Sequence, residues 1–347
     1  MSSIGTPTFH AQPHDMEYSV NCHVNLRSDV PPASELKCFS HVANATPEAT
    51  ISRIRQLVEP SLCEIVFRKY VDELAPVMPA VIFPAGTKAN QVLETKPILF
   101  LCILAAAGVG ILHADVMRDL ATMISSTFAD CVIRMVTRSI ELVQALLVNM
   151  LWYNPAHHAD QANFYQLVHV AACMAIDLGL GRRYNPAKAR RGFLGLAGTE
   201  LRMPSGGFVI EDSDTVEARR TWLACYYLCA SVAMVLRRPN MVRWTNYMQE
   251  CVDFLETSAD AQPSDRRFAQ YIRIAKIGED ISVSFCMDDS SATSVSISDP
   301  KVSYTLDIFE QKLRDWKERL PEDLKSNLQV SFFHDVTELY LHEIAMQ

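Results

Sequence analysis

The amino-acid sequence predicts an all-α protein, a large irregular helical bundle domain with a disordered N-terminal arm. Hydrophobic residues make up 49% of the 347 residues, whereas Gly contributes only 12 residues, about half its usual share. Apolar residues recur at spacings of three and four along most of the chain, which is the period of an amphipathic helix. Few glycines and long apolar stretches with this period argue against a turn-rich β protein.

The expected boundary between arm and domain lies just before Thr46. Residues 1–44 carry Ser, Thr, Pro, His and Asn without a helical period, which is typical of a disordered segment. Thr46 can accept a hydrogen bond from a free amide of a first helical turn, and Pro47 lacks the donor that would otherwise be unpaired. We therefore predict a disordered arm over 1–44 and one helical domain over 45–347.

Apolar spacing and helix-ending residues place the helices along this domain. The predicted helices are 46–58, 60–74, 97–108, 113–135, 138–153, 161–179, 214–236, 264–286, 306–320 and 332–345. The helix over 138–153 is apolar nearly all round, so we expect it at the centre of the bundle. The longest apolar run, 98–112, is shorter than the ~20 residues of a membrane span. It therefore predicts a core helix and no membrane association.

The charge balance does not favour a DNA-reading domain. The net charge is −8 and the pI is about 5.7, whereas nucleic-acid binding depends on Lys and Arg side chains that neutralise phosphates. Pairs of arginines are scattered along the chain and separated by acidic residues. Solvated faces and helix ends account for such pairs.

Potential metal ligands do not form a recognisable site. The ten cysteines contain no C-x-x-C pair, and Cys225 and Cys229 share one helix face, which favours core packing. His157, His158 and Asp160 are adjacent rather than spaced to converge from one helix. We predict no metal site and no cofactor, and the sequence does not identify cofactor-binding residues.

Catalytic motifs are also missing from the pattern. There is no G-x-S-x-G elbow and no cysteine with a recognisable partner pattern. The glycines at Gly179 and Gly181 follow a helix, whereas a phosphate-binding loop precedes one. Aromatic residues such as Tyr226 and Tyr227 have the spacing of a helical core rather than of a base-stacking platform. The sequence therefore predicts no catalytic residue and no enzyme.

Two motifs in a fixed order carry a resemblance to a known family. The first motif begins at Phe164 in the predicted helix over 161–179 and ends with Ala175, Leu178, Gly179 and Leu180. A second helix and the turn after it contain the other matched residues: Glu217, Arg219, Arg220, Trp222, Arg238 and Pro239. Together these segments resemble the middle-homology regulatory region of fungal zinc-cluster transcription factors. The similarity extends over about residues 46–347.

The resemblance implies structural roles for the matched residues rather than catalytic ones. Glu217 can cap its helix, since residues 214–217 resemble a capping box that begins at Asp214. Arg219 and Arg220 can pair with carboxylates on neighbouring helices. Trp222 can fill the gap between those helices, and Pro239 can fix the turn that follows. These residues are therefore the candidate site, with a scaffolding function.

One departure from the family concerns the zinc cluster itself. Members usually carry six cysteines that bind two zinc ions before the regulatory region, whereas only Cys22 and Cys38 precede it here. Even a single tetrahedral zinc ion needs four ligands, so direct specific DNA binding is doubtful. The family's regulatory region also runs on beyond the last predicted helix, so we expect the domain to be C-terminally shortened.

The resemblance implies a nuclear, transcription-regulator-like protein that controls a metabolic or secondary-metabolite gene set. It would act through other transcription regulators, DNA-bound complexes or a small-molecule effector held between helices. The alternative is a helical enzyme or accessory protein of a biosynthetic pathway. A third reading is a non-functional remnant that does not fold stably. Turnover that depends on a named side chain would favour the enzyme, and broad, uncooperative melting would favour the remnant.

Overall fold

Helices make up the regular secondary structure of residues 46–153, 163–183, 213–289 and 300–343, which are the residues that the structure describes. The structure is a computed structural model. Those ranges contain no strand, so the predicted all-α fold class is confirmed. The predicted arm over 1–44, the His157–Asp160 segment and most of residues 182–213, between two predicted helices, lie outside the described residues.

The first described helix begins at the predicted position. Thr46 accepts a hydrogen bond from the Ala49 amide at 3.2 Å, so the expected helix start is confirmed. Two helices end in π-helical turns, over Tyr70–Leu74 and Ala129–Arg134. Besides a short helical turn over Ala75–Val77, the helices in chain order are α1 (Pro47–Leu57), α2 (Pro60–Lys69), α3 (Ala89–Thr95), α4 (Pro97–Ala107), α5 (Ala114–Phe128) and α6 (Ile140–Leu151).

The second half is organised around one long helix. These helices are α7 (Phe164–Asp177), α8 (Val216–Leu236), α9 (Asn246–Thr257), α10 (Pro263–Ser284), α11 (Pro300–Glu318), α12 (Glu322–Lys325) and α13 (Leu328–His342). Gly179 follows α7 with φ +86°, a left-handed backbone that glycine adopts without steric cost. The helix end predicted at this glycine is therefore confirmed.

Two apolar helices form the inner layer of the first half. Along α4, side chains from Ile98 to Leu104 are all buried, and most of α6 is buried as well. The two helices pack against each other, and α6 also packs against α7 and α8. Helices that are apolar all round must be surrounded by others, so the predicted central position of 138–153 is confirmed.

Helix α8 connects this layer to the rest of the fold. It packs against α6, α7, α9 and α10, and every residue from Arg220 to Ala230 is buried. Thr215 accepts a hydrogen bond from the Ala218 amide at 3.1 Å and so caps its first turn. Neighbours on four sides leave α8 without a solvent face along its middle. It is therefore the central helix of the second half.

Among the numbered helices, the sequence missed three and misplaced the starts of two others. The missed helices are α3, α9 and α12. Helix α11 begins at Pro300, six residues before its predicted start, and α13 begins at Leu328, four residues before its predicted start. The new start follows from Asn327, whose side chain accepts a hydrogen bond from the Val330 amide at 3.1 Å. Among the described helices, none combines the length and the apolar character needed to cross a bilayer.

Candidate functional site

A buried ion pair joins the matched segment of α8 to α10. Arg220 Nε and Nη2 donate to the two carboxylate oxygens of Asp265 at 2.6 and 2.7 Å. The side chains of Arg220 and Asp265 are 7% and 0% exposed. The paired geometry satisfies both groups at once, which a buried charge requires. The structure thus contains the predicted pair between Arg220 and a carboxylate on a neighbouring helix.

Asp265 has a second role at the start of α10. Its Oδ2 accepts a hydrogen bond from the backbone amide of Gln262 at 2.8 Å. Pro263 occupies the first helical turn, where its missing amide hydrogen leaves nothing unpaired. One carboxylate therefore caps α10 and holds Arg220, which fixes the position of α10 relative to α8.

A polar cluster ties α8 to the first half of the domain. Glu217 Oε1 accepts hydrogen bonds from Lys96 Nζ at 2.5 Å and from Gln144 Nε2 at 2.8 Å. Gln144 Oε1 in turn accepts from Lys96 Nζ at 3.1 Å, and its Nε2 contacts Thr221 Oγ1 at 3.2 Å. Lys96 precedes α4 and Gln144 lies on α6, so the cluster joins three helices.

The expected capping role of Glu217 needs correction. Thr215, not Asp214, caps α8, so Glu217 is the second helical residue and its carboxylate faces Lys96. Burial alone would raise the pKa of Glu217, but the charge of Lys96 and hydrogen bonds from Lys96 and Gln144 outweigh it and lower the pKa. Glu217 therefore remains ionised at neutral pH and acts between helices.

Replacing Glu217 with Gln tests this cluster. We expect the free energy of unfolding to fall by about 1 kcal/mol at pH 7, because a charge-assisted bond is lost at a half-exposed site. A carboxyl whose folded pKa is lowered stabilises the fold above its unfolded pKa and ceases to do so as pH falls through the folded pKa. The difference between E217Q and the native chain, measured by urea unfolding, should therefore shrink as pH falls from 7 to below 4. A difference that stays constant over that range would contradict the ionised cluster.

Arg219 faces away from this cluster. Its Nη2 donates to Asp214 Oδ1 at 3.1 Å, and its guanidinium carbon lies 4.4 Å from the centre of the Phe254 ring on α9. Arg219 was expected to pair with a carboxylate on a neighbouring helix. Its partner Asp214 instead lies two residues before the start of α8, the helix that carries Arg219. Arg219 instead reaches the neighbouring helix through an aromatic face.

Trp222 brings the two matched motifs into contact. The indole is 3% exposed and packs against Gly181, just after α7. A Cβ atom added at Gly181 would lie 3.2 Å from Trp222 Cζ2, which is a tight approach for any side chain. The glycine after α7 and the tryptophan of α8 therefore share one packing site.

The turn after α8 is held from two sides. Tyr165 donates its hydroxyl hydrogen to the Pro239 carbonyl at 2.7 Å, and the Arg238 guanidinium lies 5.2 Å from the centre of the Tyr165 ring. On the other side, Asn240 Nδ2 donates to Glu279 Oε1 at 2.8 Å. The matched Arg238 and Pro239 thus connect α8 with α7, while the next residue connects the turn with α10.

The chemistry of the described residues is mostly that of a core. Cys225 and Cys229 are fully buried, and burial raises the pKa of Cys225 well above its usual value and that of Cys229 to about 12. Such thiols are protonated at neutral pH and are poor nucleophiles and metal ligands. Tyr226, Tyr227 and Trp222 are also buried, as their spacing predicts.

One group of metal-type ligands occurs within the described ranges. His334, Asp335 and Glu338 on α13 place donor atoms within 4.8 Å of one another. His334 Nδ1 already lies 3.0 Å from Asp335 Oδ1, an ordinary hydrogen bond, and both carboxylates are exposed. The histidine is stacked on Trp316 at 6.0 Å between ring centres. A packed, hydrogen-bonded histidine accounts for this group.

An open, largely apolar trough of about 450 Å³ lies along α7. Its opposite wall comes from the π-helical turn over Ala129–Arg134 and from the residues that follow this turn as far as Arg138. Met241 lies at one side. Cys173 lines the trough and is exposed. No motif in the sequence pointed to this surface.

Sequence reasoning also missed the partners of the matched residues. These are Lys96, Gln144, Asp265 and Tyr165. Only Asp265 left a local signal, because Pro263 followed by an acidic residue two positions later is typical of a helix start. The other partners are distant in sequence, and no local pattern identifies them.

Comparison with known proteins gives a consistent set of matches. A family model described as the WAR1 C-terminal domain matches residues 44–347. Transcription factor pbcR of Emericella nidulans is 35% identical over 257 residues, which cover 73% of this chain and 34% of that protein. The transcriptional regulator WAR1 of Candida albicans is 26% identical over 282 residues, covering 79% of this chain and 27% of that protein.

A third relative extends the pattern. Transcription factor opdL of Penicillium oxalicum is 23% identical over 287 residues, which cover 82% of this chain and 49% of that protein. The chain thus spans between about a quarter and a half of the length of these relatives. No solved structure matches the chain.

Proposed function

Because the chain belongs to the WAR1 C-terminal domain family of fungal transcription regulators, we propose that it regulates transcription through its helical domain. The match over residues 44–347 confirms the resemblance drawn from the two motifs. The proposed protein acts in the nucleus on a metabolic or secondary-metabolite gene set. It reaches that set through other transcription regulators or DNA-bound complexes.

The observation that carries this proposal is that the matched side chains make their contacts inside the domain. Glu217, Arg220 and Trp222 all point to neighbouring helices and make contacts within the domain. Residues used in this way position helices and leave their polar atoms unavailable for a substrate. We therefore propose that the motif maintains a non-catalytic regulatory fold, in agreement with relatives that carry the names of transcription factors.

Charge supports action through partners rather than direct DNA reading. The chain has a net charge of −8, and the most deeply buried matched arginine, Arg220, is fully paired with Asp265. Phosphate contacts need arginines and lysines on an accessible surface. In this proposal the helical domain supplies the regulatory response, and another protein supplies sequence recognition.

A tethering assay tests the proposal. The full chain is fused to a heterologous DNA-binding domain, and transcription of a reporter bearing its binding site is measured in a fungal host. We expect at least about a threefold change relative to the DNA-binding domain alone, in either direction. This change corresponds to a modest shift in a regulatory equilibrium.

A matched fusion carries Trp222→Ala, which disrupts the packing between α7 and α8, and immunoblotting follows the amount of each fusion. Reporter output equal to that of the bare DNA-binding domain, with the native fusion abundant in the nucleus, would contradict the proposed function.

A further inference from the structure

The trough beside α7 has the dimensions of a helix-binding groove. The residues of α7 that line it alternate in spacing between one and three positions from Tyr165 to Asp177. That pattern keeps them on one face for more than three turns, or ~18 Å at 1.5 Å per residue. The trough is therefore elongated along the helix axis, which suits a second helix lying beside α7.

Several polar groups in the trough already have partners within the domain. Tyr165 donates its hydroxyl hydrogen to Pro239, and His169 Nε2 accepts from the Met241 amide at 3.5 Å. His169 Nδ1 then carries the hydrogen and donates to the Tyr165 carbonyl at 2.7 Å. Arg138 pairs with Asp177 at 3.0 Å. With these groups paired and a largely apolar lining, apolar contacts along the trough supply most of the binding surface.

Exposed apolar side chains line the trough or adjoin its lining residues in sequence. Val136 and Met241 line it and are 57% and 61% exposed. Ile133 on the π-helical turn and Ile176 on α7 are 75% and 53% exposed. Large apolar groups clustered around a groove mark an interaction surface. Flexible methionine side chains, here Met241 and the buried Met174, adapt to the shape of an incoming helix.

The charge around the trough is positive although the whole chain is negative. Arg134 and Arg243 lie within two residues of lining positions, Arg138 lines the trough, and Arg238 lies over the ring of the lining Tyr165. The acidic residues at the same distance are Asp130 and Asp177, which pair with Arg134 and Arg138. Within two residues of the lining, three arginines thus face two aspartates, and Arg238 over the Tyr165 ring adds a further positive charge, which favours an acidic partner.

We infer that the trough along α7 is the docking site for an acidic amphipathic helix of a partner protein. The inference rests on the proposed function, because it gives the domain a means of recruiting another regulator. Apolar side chains at positions i, i+3, i+4 and i+7 of the partner enter the trough. Acidic side chains on its flanks face the arginines around the trough.

The test uses two exposed cysteines of the full chain. Cys173 lines the trough, whereas Cys286 follows α10 and does not line it. The probe is a synthetic helical peptide of about 16 residues, long enough to cover the ~18 Å trough, with leucines on one face and glutamates beside them. Iodoacetamide labelling at each cysteine is followed by mass spectrometry. We expect the peptide to slow labelling of Cys173 at least about tenfold while Cys286 reacts at an unchanged rate.

Matched variants identify the contact surface. Val136→Glu and Met241→Glu place a charge on exposed apolar residues that line the trough, and Leu328→Glu does the same at an 82% exposed position on α13, away from its lining. The first two substitutions should weaken peptide binding at least about tenfold, as loss of an anchoring contact does. L328E should bind like the native chain. Fluorescence anisotropy of a labelled peptide gives the affinities, and 0.5 M salt should weaken binding.

Several results would overturn the inference. They are peptide binding without protection of Cys173, equal protection by a peptide with lysines in place of the glutamates, and a Cys173 that is unreactive before any peptide is added. Protection by the neutral apolar probe 1-aminoanthracene but not by the acidic peptide would assign the trough to a small molecule instead. The result is independent of the tethering assay, so a failure of the docking site and a failure of the proposed function can be told apart.

Discussion

Replacing Asp265 with Ala is expected to lower the free energy of unfolding by about 3–5 kcal/mol, the usual result when a buried ion pair loses one partner. The substitution leaves the Arg220 guanidinium buried without a counter-charge. It also removes the acceptor for the Gln262 amide at the start of α10. Urea unfolding at pH 7, followed by far-ultraviolet circular dichroism, measures the effect.

A neighbouring ion pair supplies the control. Arg266 and Asp323 lie 3.5 Å apart and are 51% and 63% exposed, so Asp323→Ala should change the unfolding free energy by less than about 1 kcal/mol. The double variant R220M/D265L should recover more than half of the loss, because no buried charge remains unpaired. Similar losses for D265A and D323A would show that the pair between α8 and α10 is not buried in solution.

Trp222→Ala is expected to destabilise the domain by a comparable amount, about 3–5 kcal/mol, because it leaves a cavity where a large aromatic side chain was buried. The cavity opens at the contact between α8 and Gly181, so the loss separates the two matched motifs. Thermal and urea unfolding of W222A against the native chain measure it. Leu328→Ala, at an exposed site, should stay within about 0.5 kcal/mol of the native chain.

The glycine side of this contact gives an independent check. Gly181→Ala places a methyl group 3.2 Å from the indole and should destabilise the native chain by about 1–3 kcal/mol through overpacking. The smaller ring of Trp222→Phe leaves room for that methyl group, so G181A should cost less in the W222F background. Additive losses in the double variant would contradict direct packing of residue 181 against residue 222.

These unfolding experiments also address the third reading of the sequence, a remnant that does not fold stably. The buried cluster that includes α4, α6 and α8 is continuous through the described part of the domain. A domain with such a core should unfold in a cooperative transition. A broad, uncooperative transition for the native chain would instead favour the remnant.

Local chemistry explains which structural features could be predicted from the sequence. Thr46 and Gly179 were identified correctly because a helix start and a helix end each depend on one residue's own side chain or backbone. The central place of α6 followed from its apolar composition. The missed α9 has Tyr247, Cys251 and Leu255 at helical spacing, a pattern that could have predicted it.

The site was only partly predictable for a different reason. Sequence motifs identified Glu217 and Arg220 but not which residues they contact, because Lys96 and Asp265 are brought near by the packing of other helices. The capping assignment of Glu217 was wrong by one position, since Asp214 and Thr215 are both acceptable caps and only the path of the chain selects Thr215. The trough beside α7 combines residues from three segments and leaves no local pattern.

The central claim is that the folded helical domain is itself the regulatory unit. The most direct test measures reporter transcription by the tethered full chain alongside its W222F, W222A and D265A variants, with the folded fraction of each determined at the assay temperature. The account predicts that reporter output follows the folded fraction, with a smaller loss for W222F than for W222A and D265A. Full output from variants that are mostly unfolded would contradict it, because regulation would then not require the helical domain.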